Sequence, residues 1–164
     1  MAMNLIPPTF VSCFSRARLL PFLLFIAAAV TWLPCPAHAG DAKKAEAAAL
    51  ALSATLERDG YAFRAESWTR DLAPQMGRAV RVQLFKGNDY RFCVAVPMDS
   101  GVKITAAVLD FEGKPRGDIQ PVEKGWGLVL SFKPKKTGVY AVAIRQADGS
   151  KAVTTPCSVI TGYR

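Results

Sequence analysis

The sequence predicts a mainly β protein: a single antiparallel β-sandwich or jelly-roll-like domain of about seven strands, with one N-terminal helix packed on a sheet. Three observations carry this. From residue 61 onward apolar residues recur with period two in short runs bounded by turn residues. A single helical pattern accompanies them, so there is no alternation of strand and helix that would imply a parallel sheet. One pattern also occurs twice, as Leu84-Phe85-Lys86-Gly87-Asn88-Asp89-Tyr90-Arg91-Phe92 and as Ser131-Phe132-Lys133-Pro134-Lys135-Lys136-Thr137-Gly138-Val139-Tyr140. Each copy has Phe-Lys, a polar turn with Gly, and then Tyr heading an alternating apolar run.

Before the domain comes a targeting pattern. Arg16 and Arg18 precede the almost wholly apolar run Leu19 to Leu33, and Ala37-His38-Ala39 is an Ala-x-Ala cleavage signal. The run is short for a bilayer span, which needs ~20 residues, and Pro21 and Pro34 interrupt its ends. Cys35 follows Trp32-Leu33-Pro34, which lacks the small residues of a lipoprotein signal. Residues 1–39 therefore read as a cleavable Sec-type signal peptide, and the protein as periplasmic or secreted. A mature chain from Gly40 keeps 125 of the 164 residues, enough for one domain with a sizeable core. Its net charge falls from +8 to +6, with 19 basic and 13 acidic side chains.

The only histidine, His38, leaves with the leader, as do Cys13 and Cys35. Cys93 and Cys157 remain. Two cysteines in an exported domain most simply form one disulfide. It would close a loop of 64 residues and contribute about 4 kcal/mol on the chain-entropy account. The alternative is a pair of buried free thiols.

The elements follow in order. Residues 40–60 form the helix, from an N-cap at Asp41 to a left-handed Gly60, with Ala45, Ala49, Leu52 and Leu56 on one face. Residues 61–164 form the sandwich. Tyr61 to Trp68 is the first strand, and Arg78 to Lys86 turns Val80, Val82 and Leu84 to one side. Gly87-Asn88-Asp89 makes a hairpin turn into Tyr90, Phe92, Val94 and Val96. Val102, Ile104, Ala106 and Val108 share the next face, and a short strand fits Asp118 to Val122. Trp126, Leu128, Leu130 and Phe132 alternate, as do Tyr140, Val142 and Ile144. Lys151 to Thr161 is the last strand, placed at an edge by Pro156. The reverse faces carry small residues, Cys93 and Ala95 on one strand, Ala141 and Ala143 on another. Small residues let a helix lie close, so the helix is expected on the outer side of a sheet holding both Tyr-headed strands.

Chemistry is sparse. A mature chain without His excludes Ser-His-Asp and Cys-His catalysis and His-ligated zinc. No phosphate-binding or dinucleotide fingerprint is present. Calcium at Asp110-x-Glu112 or Asn88-Asp89 would need six to eight oxygens, and these carboxylates are interleaved with Lys86, Arg91, Lys114 and Arg116. The expectation is a noncatalytic protein without cofactor or metal. Lys133, Lys135 and Lys136 crowd one turn, a tip that suits an anionic envelope polymer or simply keeps an edge unpaired. Trp126, between Gly125 and Gly127, is either a stacking platform for a sugar or a core residue in alternation with Leu128 and Leu130.

Three pieces resemble the bacterial pre-peptidase C-terminal domain and related exported β-sandwiches: Leu84 to Phe92, Val108-Leu109-Asp110-Phe111-Glu112-Gly113, and Phe132 to Val142. They look like that family's strand-Gly-x-x-Tyr opening, its Asp-x-x-Gly turn and its closing Pro-x-x-x-Gly-x-Tyr hairpin. Together they span about residues 78–146. The resemblance implies a small, noncatalytic jelly-roll-like module. This chain adds an N-terminal helix, and Val102-Lys103-Ile104 lacks the acidic residues often seen before the Asp-x-x-Gly turn.

The functional expectation is an exported binding or interaction module, with a periplasmic protein or envelope polymer as partner. Export argues against nucleic acid, and signal cleavage leaves no membrane attachment. Peptidoglycan or lipopolysaccharide binding through Trp126, Lys133, Lys135 and Lys136 is the specific alternative. Inhibition of a hydrolase such as lysozyme ranks last, since a charge of +6 would repel a basic enzyme.

Overall fold

Helix α1 spans Ala37–Glu57 in the computed structural model, which describes residues 37–164, with side chains from Gly40 onward. The predicted signal peptide lies outside the described residues, apart from the three that open this helix. The helix begins four residues before the predicted N-cap. Asp41 instead sits inside it, paired with Lys44 one turn on at 3.3 Å. An Ala-rich segment propagates helix readily in either direction, so no local signal marked the start. The end is as predicted: Gly60 is left-handed at φ +85°. The Gly60 N–H donates to the Glu57 carbonyl (3.1 Å) and the Tyr61 N–H to that of Leu56 (3.2 Å), the two nested bonds that close a helix at such a residue.

Nine strands follow: β1 (Ala62–Leu72), β2 (Arg78–Leu84), β3 (Tyr90–Ala95), β4 (Ile104–Leu109), β5 (Pro115–Arg116), β6 (Asp118–Pro121), β7 (Gly127–Phe132), β8 (Gly138–Gln146) and β9 (Thr155–Tyr163). They form two antiparallel sheets, one in the order β1-β9-β3-β7-β6 and the other β2-β8-β4-β5. The apolar faces meet between the sheets. Tyr90, Phe92, Val94, Leu128, Leu130 and Val159 from the first pack on Val82, Leu84, Ile104, Val108, Tyr140, Val142 and Ile144 from the second. The described residues thus form a β-sandwich with one α-helix, and the helix and both sheets make one compact unit.

The connections differ from expectation. Strands β2 and β3 lie in different sheets, so residues 85–89 are a crossing between layers and not a hairpin turn. The second copy of the pattern behaves alike, since residues 133–137 carry the chain from β7 in one sheet to β8 in the other. Six of the eight connections cross in this way; only β4–β5 and β6–β7 are local hairpins. Alternation along a strand reports which face is buried, not which strand lies beside it. In both copies the heading tyrosine braces its crossing. The Tyr90 hydroxyl accepts from the Phe85 N–H at 2.9 Å, and the Tyr140 hydroxyl donates to the Lys136 carbonyl at 2.8 Å. The Lys86 N–H donates to Thr137 Oγ1 at 3.0 Å, so the two crossings sit side by side.

Helix α1 packs on the outer face of the five-stranded sheet, against β9, β3 and β1. Ala45, Ala48, Ala49 and Ser53 are buried there, over Cys93, Ala95 and Ile160. This agrees with the prediction for β3. It corrects the prediction for β8: Ala141 and Ala143 lie on the other sheet, half-buried and away from the helix. Small reverse-face residues occur on both Tyr-headed strands, but these strands belong to opposite layers and the helix covers only one of them.

Strand β9 is interior, flanked by β1 and β3, which overturns its assignment to an edge. The β3 ladder ends at the pair Ala95 and Ser158. Pro156 therefore lies beyond it, and its missing N–H interrupts no bond on that side.

The predicted Cys93–Cys157 disulfide is absent, and both cysteines are free and buried. Cys93 pairs with Ile160 across β3 and β9, which puts Cys157 three residues farther along, roughly 10 Å down the strand at ~3.3 Å per residue. The side chains also point to opposite faces. Cys93 lies under the helix and Cys157 in the sandwich core. A disulfide needs Cα atoms within about 7 Å and converging Cβ vectors. Burial pushes both thiols up to about 12, far from the reactive thiolate range. Alkylation of the native protein should leave Cys93 and Cys157 unmodified even after air oxidation, and alkylation in denaturant should label both. A mass showing them joined would contradict this arrangement.

Candidate functional site

The site is built from the second crossing and the β4–β5 hairpin. At the end of β7, Phe132 leads into Lys133-Pro134-Lys135-Lys136-Thr137. Pro134 is buried and the three lysines are exposed. Across from them the hairpin turn is held by Asp110. Its Oδ1 accepts from the Glu112 and Lys114 N–H groups, each at 2.9 Å, and its Oδ2 from Arg116 Nε at 2.9 Å. Hydrogen bonding from the Lys114 backbone holds the Asp110 carboxyl below the usual value; burial opposes this, and the Arg116 bond, the Glu112 N–H and the Arg116 charge reinforce it. Asp110 is therefore a turn brace, spent on its own loop.

That brace presents Phe111, which is 59% exposed. Its ring lies 4.9 Å from that of Tyr140, centroid to centroid, and Phe132 meets Tyr140 edge-on at 5.3 Å. Gly138 makes this possible, because a Cβ there would come within 2.7 Å of the Phe111 ring. The result is a cleft of about 340 Å³ with an aromatic floor of Phe111, Phe132 and Tyr140, and a rim of Lys133, Lys135, Lys136 and Arg116 with Asp110 and Glu112.

The charges around it do not balance. Asp110 is committed to its loop and Arg116, and Glu112 pairs with Lys114 at 2.7 Å. Lys133, Lys135 and Lys136 have no carboxylate within ion-pair distance among the described residues. The uncompensated charge at the cleft is positive. Chemically it can hold an anionic group, and its apolar floor can take a flat or ring-bearing one.

Trp126 does not join this site. It stands at the opposite end of β7, seven residues or roughly 23 Å of strand from the nearest lysine, Lys133. It is half-buried and packs against both the sandwich core and the layer under the helix. Its packing is that of a partly buried core residue, apart from the lysine-bearing crossing. Sequence reasoning missed Phe111, whose signal was a large aromatic inside the polar turn Asp110-Phe111-Glu112-Gly113.

A second polar cluster lies at the first crossing. The Tyr61 hydroxyl donates to Asp89 Oδ2 at 2.7 Å, Arg91 Nη1 bonds Asp89 Oδ1, and Arg164 Nη2 lies 3.8 Å from Asp89. The guanidiniums of Arg91 and Arg164 stack on the Tyr61 ring at 4.8 and 4.7 Å. Asp89 and Arg164 also exchange backbone bonds of 2.9 and 3.0 Å. Every group here has an internal partner, so the cluster fastens the helix–strand junction and the last residues to the crossing. Among the described residues no three His, Cys, Asp or Glu side chains gather where a metal could bind. No helix among them is long and apolar enough to cross a membrane. Compared with models of known protein families and with curated proteins, the chain matches none.

Proposed function

We propose that this protein is a noncatalytic, exported module of a bacterial periplasm that binds an anionic polymer of the cell envelope at the lysine-rimmed cleft. The observation that carries the reading is the set of three lysines without an ion-pair partner among the described residues, on a crossing beside an aromatic floor, while the two carboxylates of the cleft are paired with Arg116 and Lys114. Clustered positive charge on a fixed element raises the local concentration of a polyanion and speeds its capture. The Arg16 and Arg18 leader, the Leu19 to Leu33 run and the Ala37-His38-Ala39 signal support export. The two-sheet antiparallel sandwich is of the general kind that the pre-peptidase C-terminal resemblance suggests. The carboxylates nearest the cleft are committed to loop geometry and ion pairs, which supports binding over acid–base chemistry.

Retention on lipopolysaccharide or peptidoglycan tests this. It should weaken steeply between low and physiological salt. Lys135→Glu with Lys136→Glu should reduce it at least tenfold, with no change in thermal stability, since both side chains are exposed. Undiminished retention by the double variant would reject the reading.

A further inference from the structure

Resting on the polyanion reading above, we infer that the cleft is selective for acidic glycans, sugar rings that carry an anionic group, over polyanions without rings. The lysines alone would serve any polyanion and would need no aromatic beside them. Phe111 is what they do not explain. A phenylalanine at 59% exposure in a turn otherwise built of Asp, Glu, Gly and Lys is a large apolar side chain that could have been polar.

Its placement is fixed before any ligand arrives. One side of the ring rests on Tyr140 and over Gly138, where the missing Cβ leaves the needed space. The backbone around it is pinned by the bonds from the Glu112 and Lys114 N–H groups to Asp110. A ring held in this way loses little freedom when something stacks on its free side. The apolar C–H face of a pyranose suits that side, while an anionic substituent on the ring reaches the lysines. The Lys ammonium is a compact point charge that accepts carboxylate, phosphate or sulfate without the planar match that Arg imposes. The cleft volume, about 340 Å³, lies at the low end of small-molecule sites. It therefore has room for one or two sugar units, and the rest of a chain would run outside.

The test titrates the full chain with two probes of equal charge, an oligogalacturonate and inorganic polyphosphate. Phe111→Ala should weaken oligogalacturonate binding about tenfold, the scale of one aromatic stacking contact, and leave polyphosphate within about twofold. Phe111→Tyr should retain oligogalacturonate binding. Lys135→Glu with Lys136→Glu should lose both probes. Equal effects of Phe111→Ala on the two probes, no effect on either, or wild-type binding of polyphosphate alone would each overturn the ring selectivity and leave the charge reading standing. Unchanged binding of both probes by the lysine double variant would instead remove the polyanion reading itself.

Discussion

Gly162→Ala should destabilise the protein by about 2 kcal/mol, within the range for overpacking a tight site, and lower Tm by roughly 8 °C for a domain of this size. Gly162 lies on the interior strand β9, opposite Phe63 of β1. A Cβ there would meet three carbons of the Phe63 ring at 2.6 to 2.8 Å. The register of β1 shifts between Phe63 and Ser67, so four residues on that strand span two on β9. This irregularity tips the aromatic onto the glycine. The backbone of Gly162 is not in the left-handed region, so any penalty comes from the ring alone. That makes the sign of the effect conditional. In a Phe63→Ala background the clash is gone, and Gly162→Ala should become neutral or slightly stabilising because alanine restricts the unfolded chain. A double-mutant cycle by chemical denaturation measures this. Equal destabilisation in both backgrounds would show that the glycine serves something other than the Phe63 ring. Gly138 under Phe111 is the same device at the cleft.

Asp89→Asn should cost about 2 kcal/mol near neutral pH, the scale of hydrogen bonds to a charged group that is mostly withdrawn from water. Burial raises the Asp89 carboxyl, but bonds from Tyr61 and Arg91 and the charges of Arg91 and Arg164 outweigh it and hold it below its ordinary value. A carboxyl depressed in the folded state contributes stability above its unfolded value, and that contribution is lost as pH falls through the folded value. The window therefore lies below the model-compound value of 3.8. Tyr61 works in the other direction: burial first, then its bond to Asp89, raises the phenol above 10.0. Its contribution is present below that value and is lost as pH rises through the higher folded one. Stability measured against pH should show the wild type and Asp89→Asn converging in acid, where both side chains are uncharged. A gap that persists below the folded value would mean that the carboxylate charge is not what the network uses.

Much of the fold was legible in local chemistry. Period-two alternation assigned the inward face of five strands, β2, β3, β4, β7 and β8, because a strand residue's face depends only on parity along its own chain. The helix end was legible because a left-handed glycine leaves a local mark. The Lys133, Lys135 and Lys136 cluster was legible because its members are neighbours in sequence. The cleft as a whole was not. Phe111 and Tyr140 meet only because β4 and β8 pair and Gly138 leaves room, and no spacing along the chain encodes that pairing.

The sequence by itself determined the inward faces of the central strands, the end of the helix, and which turn carries the surplus positive charge. Only the tertiary structure decided what lies beside what. The repeated Phe-Lys to Tyr pattern promised two hairpins in one sheet, but its copies carry the chain between layers, with Tyr90 and Tyr140 bracing the crossings. Cys93 and Cys157 promised a bridge, but neighbouring strands set them three positions apart on opposite faces. The physical reason is common to both. Parity and turn chemistry act within a few residues, whereas strand order follows from burying both sheets' apolar faces at once, and that is settled by the whole chain.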